Sequence, residues 1–129
     1  MGRSKQREQA FALIFSDMFA DGEQNTLELY SESFDEVGDF AKQLYEGVKN
    51  NSEELDASIS EFLSGWKINR ISKVNLAVLR LAVYEIKYVE DVPVSVAINE
   101  AVELAKTYSS KEDGAFVNGI LGSFARSLD

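Results

Sequence analysis

Between Val74 and Ile86 the apolar side chains do not keep to one stripe. Val74, Val78, Leu79, Leu81, Ala82, Val83 and Ile86 cover most of the circumference of a helix, and a helix that is apolar nearly all round has to be enclosed by other elements. Whatever fold the chain takes must wrap this segment. The rest of the sequence offers further helices to do it. Phe11, Ile14, Phe15, Met18 and Phe19 recur at the three-and-four spacing of one helix face and predict a helix over Ser4–Ala20, stopped by Asp21-Gly22. Thr26–Ser33 reads as a short helix or an irregular turn, and Val37, Ala41, Leu44 and Val48 predict a helix over Asp35–Asn50. Ser52 is placed to cap the next one, with Glu53 and Glu54 in the favourable first turn and Leu55, Ile59, Phe62 and Leu63 as its apolar face before Ser64-Gly65.

Ser72 is the expected cap of the central helix, and Pro93 stands just before another, whose core face is Ala97, Ile98, Ala101, Val102, Leu104, Ala105 and Tyr108. Ser109-Ser110 interrupts it. A last helix carries Phe116, Val117, Ile120, Leu121, Phe124 and Leu128. Its Gly119 and Gly122 weaken it by up to ~1 kcal/mol each unless close packing needs them. No segment alternates as a strand does, so the fold class is all-α, six or seven helices in one domain over residues 1–129.

Composition removes whole classes of chemistry. The 129 residues include no cysteine and no histidine, so a disulfide framework, a thiolate metal site and the commonest metal ligand and general base are all missing. Glu100 and Glu103 lie three apart with Glu85 nearby, but a carboxylate di-metal bundle also needs Glu-x-x-His on two helices. No catalytic residue, metal or cofactor is expected. No run of about 18 apolar residues occurs and no secretory signal opens the chain, which predicts a soluble, cytoplasmic protein without membrane contact. A net charge of −9 repels phosphate on average. Arg3, Lys5 and Arg7 against Glu8 nevertheless make the first nine residues locally basic, while acids concentrate over Asp21–Asp39 and Glu53–Glu61.

Polar residues inside the apolar helices need a reason. Arg80, Glu85, Asn99 and Glu100 sit where periodicity predicts core, and a buried charge is costly unless paired and hydrogen-bonded. The expectation is a structural network in which Arg80 meets Glu85 or Glu100 and Asn99 bonds a backbone group, fixing how the central helices cross. Phe116-Val-Asn-Gly-Ile-Leu121 has two readings. Phe116 and Ile120 fill a helix face, or Phe116, beside Lys111 at the start of its helix, stacks on an unpaired RNA base while Asn118 offers its amide to a base edge. Such stacking is worth ~1–3 kcal/mol by alanine substitution.

Leu79-Arg-Leu-Ala-Val-Tyr-Glu85, Val92-Pro93, Val96-Ala-Ile-Asn-Glu-Ala-Val-Glu-Leu-Ala-Lys106 and Phe116-Val-Asn-Gly-Ile-Leu121, in this order and spacing, closely resemble the NusB family of transcription antitermination factors. Arg7-Glu8-x-Ala10 is similar to the end of that family's arginine-rich arm, so the resemblance spans essentially the whole chain. It implies two perpendicular three-helix bundles and a role without catalysis. NusB-like proteins pair with NusE, also a small-subunit ribosomal protein, and the pair binds the single-stranded boxA element of nascent ribosomal RNA. Within the antitermination complex this helps RNA polymerase read through terminators. Carried over by position, the resemblance gives Arg3, Lys5, Arg7 and Phe116 to RNA, beside Lys111 and Asn118, and Phe15 and Asn75 to the NusE-facing surface.

Some relatives self-associate through a surface overlapping the RNA site, which makes a homodimer a further expectation. Two other classes fit parts of the sequence. One is an RNA-binding module like those preceding the catalytic domain of ribosomal RNA cytosine methyltransferases, although the chain has no glycine-rich cofactor loop and no cysteine nucleophile. The other is a helical interaction protein whose basic arm is merely solvated.

Overall fold

The computed structural model describes residues 2–19 and 36–128. Among them are six α-helices, α1 (Arg3–Asp17), α2 (Asp39–Asn50), α3 (Ser52–Ser60), α4 (Lys73–Tyr88), α5 (Val94–Tyr108) and α6 (Lys111–Ser127), with a 3-10 turn at Ile68–Arg70 and no strand. The expected Asp21-Gly22 stop and the Thr26–Ser33 segment lie outside the described residues. The all-α reading holds.

α4 takes the central place its composition demands. Ala77, Val78, Leu79, Leu81, Ala82 and Val83 are all buried along it. α1 and α2 pack against it and each other, α5 and α6 do the same, and α3 touches both α4 and α6. Two groups of three helices, α1–α2–α4 and α4–α5–α6, therefore share α4. One continuous core joins them, with Leu13, Leu44, Leu55, Leu79, Val117 and Leu121 withdrawn from solvent, each contributing roughly 1.5–3 kcal/mol by burial.

Helix ends follow the local chemistry, with one correction. Ser72 Oγ accepts from the Asn75 N–H at 3.1 Å and Ser110 Oγ from the Asp113 N–H at 3.1 Å, so Ser110 caps α6 as well as ending the segment before it. Ser52 is not a cap. It is the first residue of α3, and the preceding Asn51 turns its side chain back, donating Nδ2 to the Gly47 carbonyl at 2.8 Å. α2 and α3 abut, and Asn51 serves the end of the first. α3 stops at Ser60, yet Leu63 stays buried and Phe62 meets Phe124 edge-on at 6.0 Å.

Two glycines are required by geometry. Gly65 has φ 75° after α3, a conformation that favours glycine. Gly47 lets α2 approach α4 so closely that a Cβ there would lie 2.1 Å from Tyr84 Cζ. Gly119 faces open space, so packing does not demand it. Among the described residues no helix is long and apolar enough to cross a membrane.

Candidate nucleic-acid interface

The basic arm is the opening of α1, and its three cations have different fates. Arg7 turns inward. Its Nε donates to Glu85 Oε1 at 2.7 Å and Oε2 at 3.1 Å, and its Nη1 lies 3.6 Å from Glu100 Oε1. The side chains of Arg7 and Glu85 are only 5% and 2% exposed. Burial pushes the Glu85 carboxyl above its ordinary range, and the hydrogen bond and charge of Arg7 offset that only in part. Ser4 Oγ also donates to Glu100 Oε1, at 2.6 Å. Arg7 thus fastens α1 to α4 and α5, and its guanidinium is turned away from any RNA outside.

The expected polar network is redrawn accordingly. Glu85 and Glu100 do come together, but through Arg7. Arg80 makes a two-point contact with Asp56 on α3, both distances 2.7 Å. Five residues along a helix put Arg80 about 140° round α4 from Glu85, so the two cannot share a face. Asn99 is exposed on α5 and belongs to no buried network.

Arg3 and Lys5 face outward. Arg3 Nη2 is 3.0 Å from Asp91 Oδ2 with its guanidinium 4.3 Å from the Phe40 ring centroid, and Lys5 Nζ is 3.9 Å from Glu8. Exposed pairs of this kind contribute little, so either cation can exchange its carboxylate for a phosphate.

A groove of about 260 Å³ opens where the first turns of α4 and α6 meet the loop after α3. Trp66, Arg70, Ile71, Asn75, Asp113 and Phe116 line it. Trp66 is 59% exposed and Phe116 half-buried. Lys73 and Lys111, the first residues of α4 and α6, are exposed at the same helix ends. Asn118 lies two residues past Phe116, about 200° round α6; it is exposed but does not line the groove.

At the groove's floor Asn75 is buried and its Nδ2 donates to Asp113 Oδ1 at 3.0 Å, while Asn75 Oδ1 has no partner among the described residues. Hydrogen bonds from Ser109 and then Asn75 hold the Asp113 carboxyl below its ordinary range. Trp66 and Arg70 were not singled out by sequence. The available signal was the chain's one tryptophan in a loop, Ser64-Gly-Trp-Lys-Ile-Asn-Arg70, that also carries two cations.

Phe15 belongs to an aromatic row on α1. It stacks on Phe11 at 5.8 Å and meets Phe19 edge-on at 5.0 Å, and Phe19 is 62% exposed. Lys73 Nζ sits 5.3 Å from the Phe19 ring centroid, so the row reaches the first turn of α4, the turn that holds Asn75.

This helical frame has known counterparts. The model of the NusB family matches residues 4–126. The chain belongs to the NusB family. It is 47% identical to the transcription antitermination protein NusB of Acetivibrio thermocellus, over 98% of this chain and 90% of that protein. Its backbone is similar to that of T. maritima NusB, with a TM-score of 0.87 and 36% identity over 98% of this chain and 92% of that one. A chain in the crystal structure of the antitermination factors NusB and NusE in complex with double-stranded RNA is similar at a TM-score of 0.82 and 27% identity, covering 98% and 99% of the two chains. In this NusB-family chain the groove and the arm occupy different stretches of α4. Asn75 and Glu85 are ten residues apart, roughly 15 Å along the helix axis.

Proposed function

We propose that this chain is a non-catalytic adaptor in transcription antitermination. In the cytoplasm it pairs with a NusE-type small-subunit ribosomal protein, and the pair binds the single-stranded boxA element of nascent ribosomal RNA, so that RNA polymerase in the antitermination complex reads through terminators. Membership of the NusB family over residues 4–126 carries this reading, and a relative's complex with NusE and double-stranded RNA supports both kinds of partner. Residues 1–129 act as one domain.

The chemistry of the surface fits such a role. Affinity for RNA comes from cations on phosphates, and readout of unpaired RNA from stacking and base-edge hydrogen bonds. Arg3 and Lys5 at the arm, and Arg70, Lys73 and Lys111 at the groove, are the local cations of a chain whose net charge is −9. Phe116 offers the stacking face, and Arg7 holds the arm in place. A strand touching both regions has to run along α4. Phe15 and Phe19, with Asn75 on the neighbouring first turn of α4, are the surface for the protein partner, which adds the basic surface that the acidic chain lacks.

A titration of boxA and scrambled oligonucleotides against the chain, with and without NusE, tests this reading. The expected result is tight, sequence-selective binding only when NusE is present. Equal affinity for the two RNAs, or no effect of NusE, overturns it.

A further inference from the structure

We propose that Phe40 and Asp91 position Arg3 for an RNA phosphate: the Phe40 ring holds the guanidinium on one face, and the Asp91 carboxylate occupies the place that the phosphate takes. The inference rests on the RNA-binding function proposed above and adds two residues that control one of its contacts.

Three elements meet at Arg3. It is the first residue of α1, Phe40 is the second residue of α2, and Asp91 lies between α4 and α5. The turn that carries Phe40 is tied directly to the arm, because Gln6 Oε1 accepts from the Phe40 N–H at 3.0 Å and from the Ala41 N–H at 3.2 Å. Gly38, which precedes α2, has no side chain to cap it, so α1 satisfies these two donors instead. Glycine also leaves the room for this, since a Cβ at Gly38 would lie 2.1 Å from Gln6 Oε1. The buried Phe40 ring is thereby set between the two arginines, its centroid 4.3 Å from the guanidinium carbon of Arg3 and 5.4 Å from that of Arg7.

A guanidinium over a ring gives up one face and keeps its edges. Its N–H groups fan out within the plane, so the ring attracts the charge without engaging a donor. One donor already shows where the edge points, since Arg3 Nη2 meets Asp91 Oδ2 at 3.0 Å. That contact is open to water, its side chains 46% and 67% exposed, and such a pair is weak. The ring stays in place when Asp91 lets go. Arg3 therefore keeps its direction while a phosphate oxygen replaces the carboxylate, and little ordering remains to oppose binding. Until RNA arrives, Asp91 competes for the cation and lowers its affinity for phosphate.

Binding of a boxA oligonucleotide to the chain with NusE, measured over a range of salt concentrations, tests the two residues in opposite directions. Asp91→Asn is expected to tighten binding about twofold to fivefold. Phe40→Leu keeps an apolar side chain and removes the ring face; it is expected to weaken binding by about the same factor and to flatten the slope of log K against log salt by up to about 0.7, with Phe40→Tyr restoring both. In an Arg3→Ala background neither Asp91→Asn nor Phe40→Leu should change the affinity further. A merely structural role for Phe40 would not depend on Arg3 and would leave Asp91→Asn without effect. Asp91→Asn alters an exposed side chain and is decisive by itself where Phe40→Leu does not fold: no tightening, or equal tightening in the Arg3→Ala background, overturns the positioning of Arg3 while boxA is still bound. A loss from Phe40→Leu that persists without Arg3 overturns it as well. Failure of the unaltered complex to bind boxA overturns the proposed function, and this positioning with it.

Discussion

Arg7 on α1 and Glu85 on α4 form an ion pair, 2.7 Å between Nε and Oε1, that is closed off from water at both ends. Removing one partner of such a pair leaves the other charge buried and uncompensated, which costs ~3–5 kcal/mol. Arg7→Met is therefore expected to lose stability on that scale, while Arg3→Ala and Lys5→Ala, which truncate outward-facing side chains, stay within ~0.5 kcal/mol. Urea unfolding of the three variants checks this. Three equal, small losses would show that Arg7 behaves as a solvated arm residue.

Acidity should act on the same pair in an uncommon direction. Burial raises the Glu85 carboxyl above its ordinary value of 4.5, despite Arg7, so the folded protein holds this proton more tightly than the unfolded chain does. The resulting stabilisation is fully present below the unfolded value and is lost as pH rises through the raised folded one. Glu85→Gln lacks this contribution. The stability of the unaltered protein relative to Glu85→Gln should fall as pH rises from the ordinary carboxylate value of 4.5 through the raised folded one, measured as the difference in Tm. The opposite slope from Asp113, whose carboxyl is lowered, is common to both proteins and cancels. A difference that grows with pH would show that Arg7 outweighs burial.

Periodicity is a local property, and what it encodes was readable in the sequence: α4 as the enclosed helix, Ser72 as its cap, and the apolar faces of α1, α5 and α6 except at their C-terminal ends, where the expected face residues Phe19, Tyr108 and Leu128 are exposed because no other described helix fully covers them. Pairing across helices is not local. Asp56 and Arg80 are 24 residues apart and Arg7 and Glu85 are 78 apart, so no helical spacing names either partner. The inward turn of Arg7 had left a trace, because Arg7, Phe11 and Ile14 lie on one stripe of α1 and all three are buried, yet its place in a basic cluster suggested solvent. Trp66 and Arg70 lie in a loop and a 3-10 turn with no period to set their direction. Their meeting with Asn75 and Phe116 depends on how α3, α4 and α6 pack.

Glycine positions separate packing from propensity. Gly119 lies within α6, where an added methyl would meet open space and φ is not positive, so Gly119→Ala should stabilise by up to ~1 kcal/mol through helix propensity alone. Gly47→Ala gains the same propensity but drives a methyl into the Tyr84 ring, an overpacking cost of typically ~1–3 kcal/mol. Thermal unfolding should move up for the first and down for the second. A rise for Gly47→Ala would mean that the Tyr84 ring, tilted against Tyr88 with centroids 5.1 Å apart, swings aside without loss.

Salt dependence should divide the RNA surface into phosphate and base contacts. Each phosphate neutralised on single-stranded RNA contributes about 0.7 to the slope of log K against log salt. Replacing both Arg3 and Lys5 with Ala should flatten the slope for boxA by up to about 1.4 in the presence of NusE, and Lys111→Ala by up to about 0.7 more. Phe116→Ala removes a stacking face and no charge, so it should weaken binding by ~1–3 kcal/mol at every salt concentration with the slope unchanged. Arg7 has to stay in place for this measurement, because its loss would act through stability. If the Arg3 and Lys5 double variant kept the full slope, phosphates would be held elsewhere, and Arg70, Lys73 and Lys111 around the groove would be the cations to replace next.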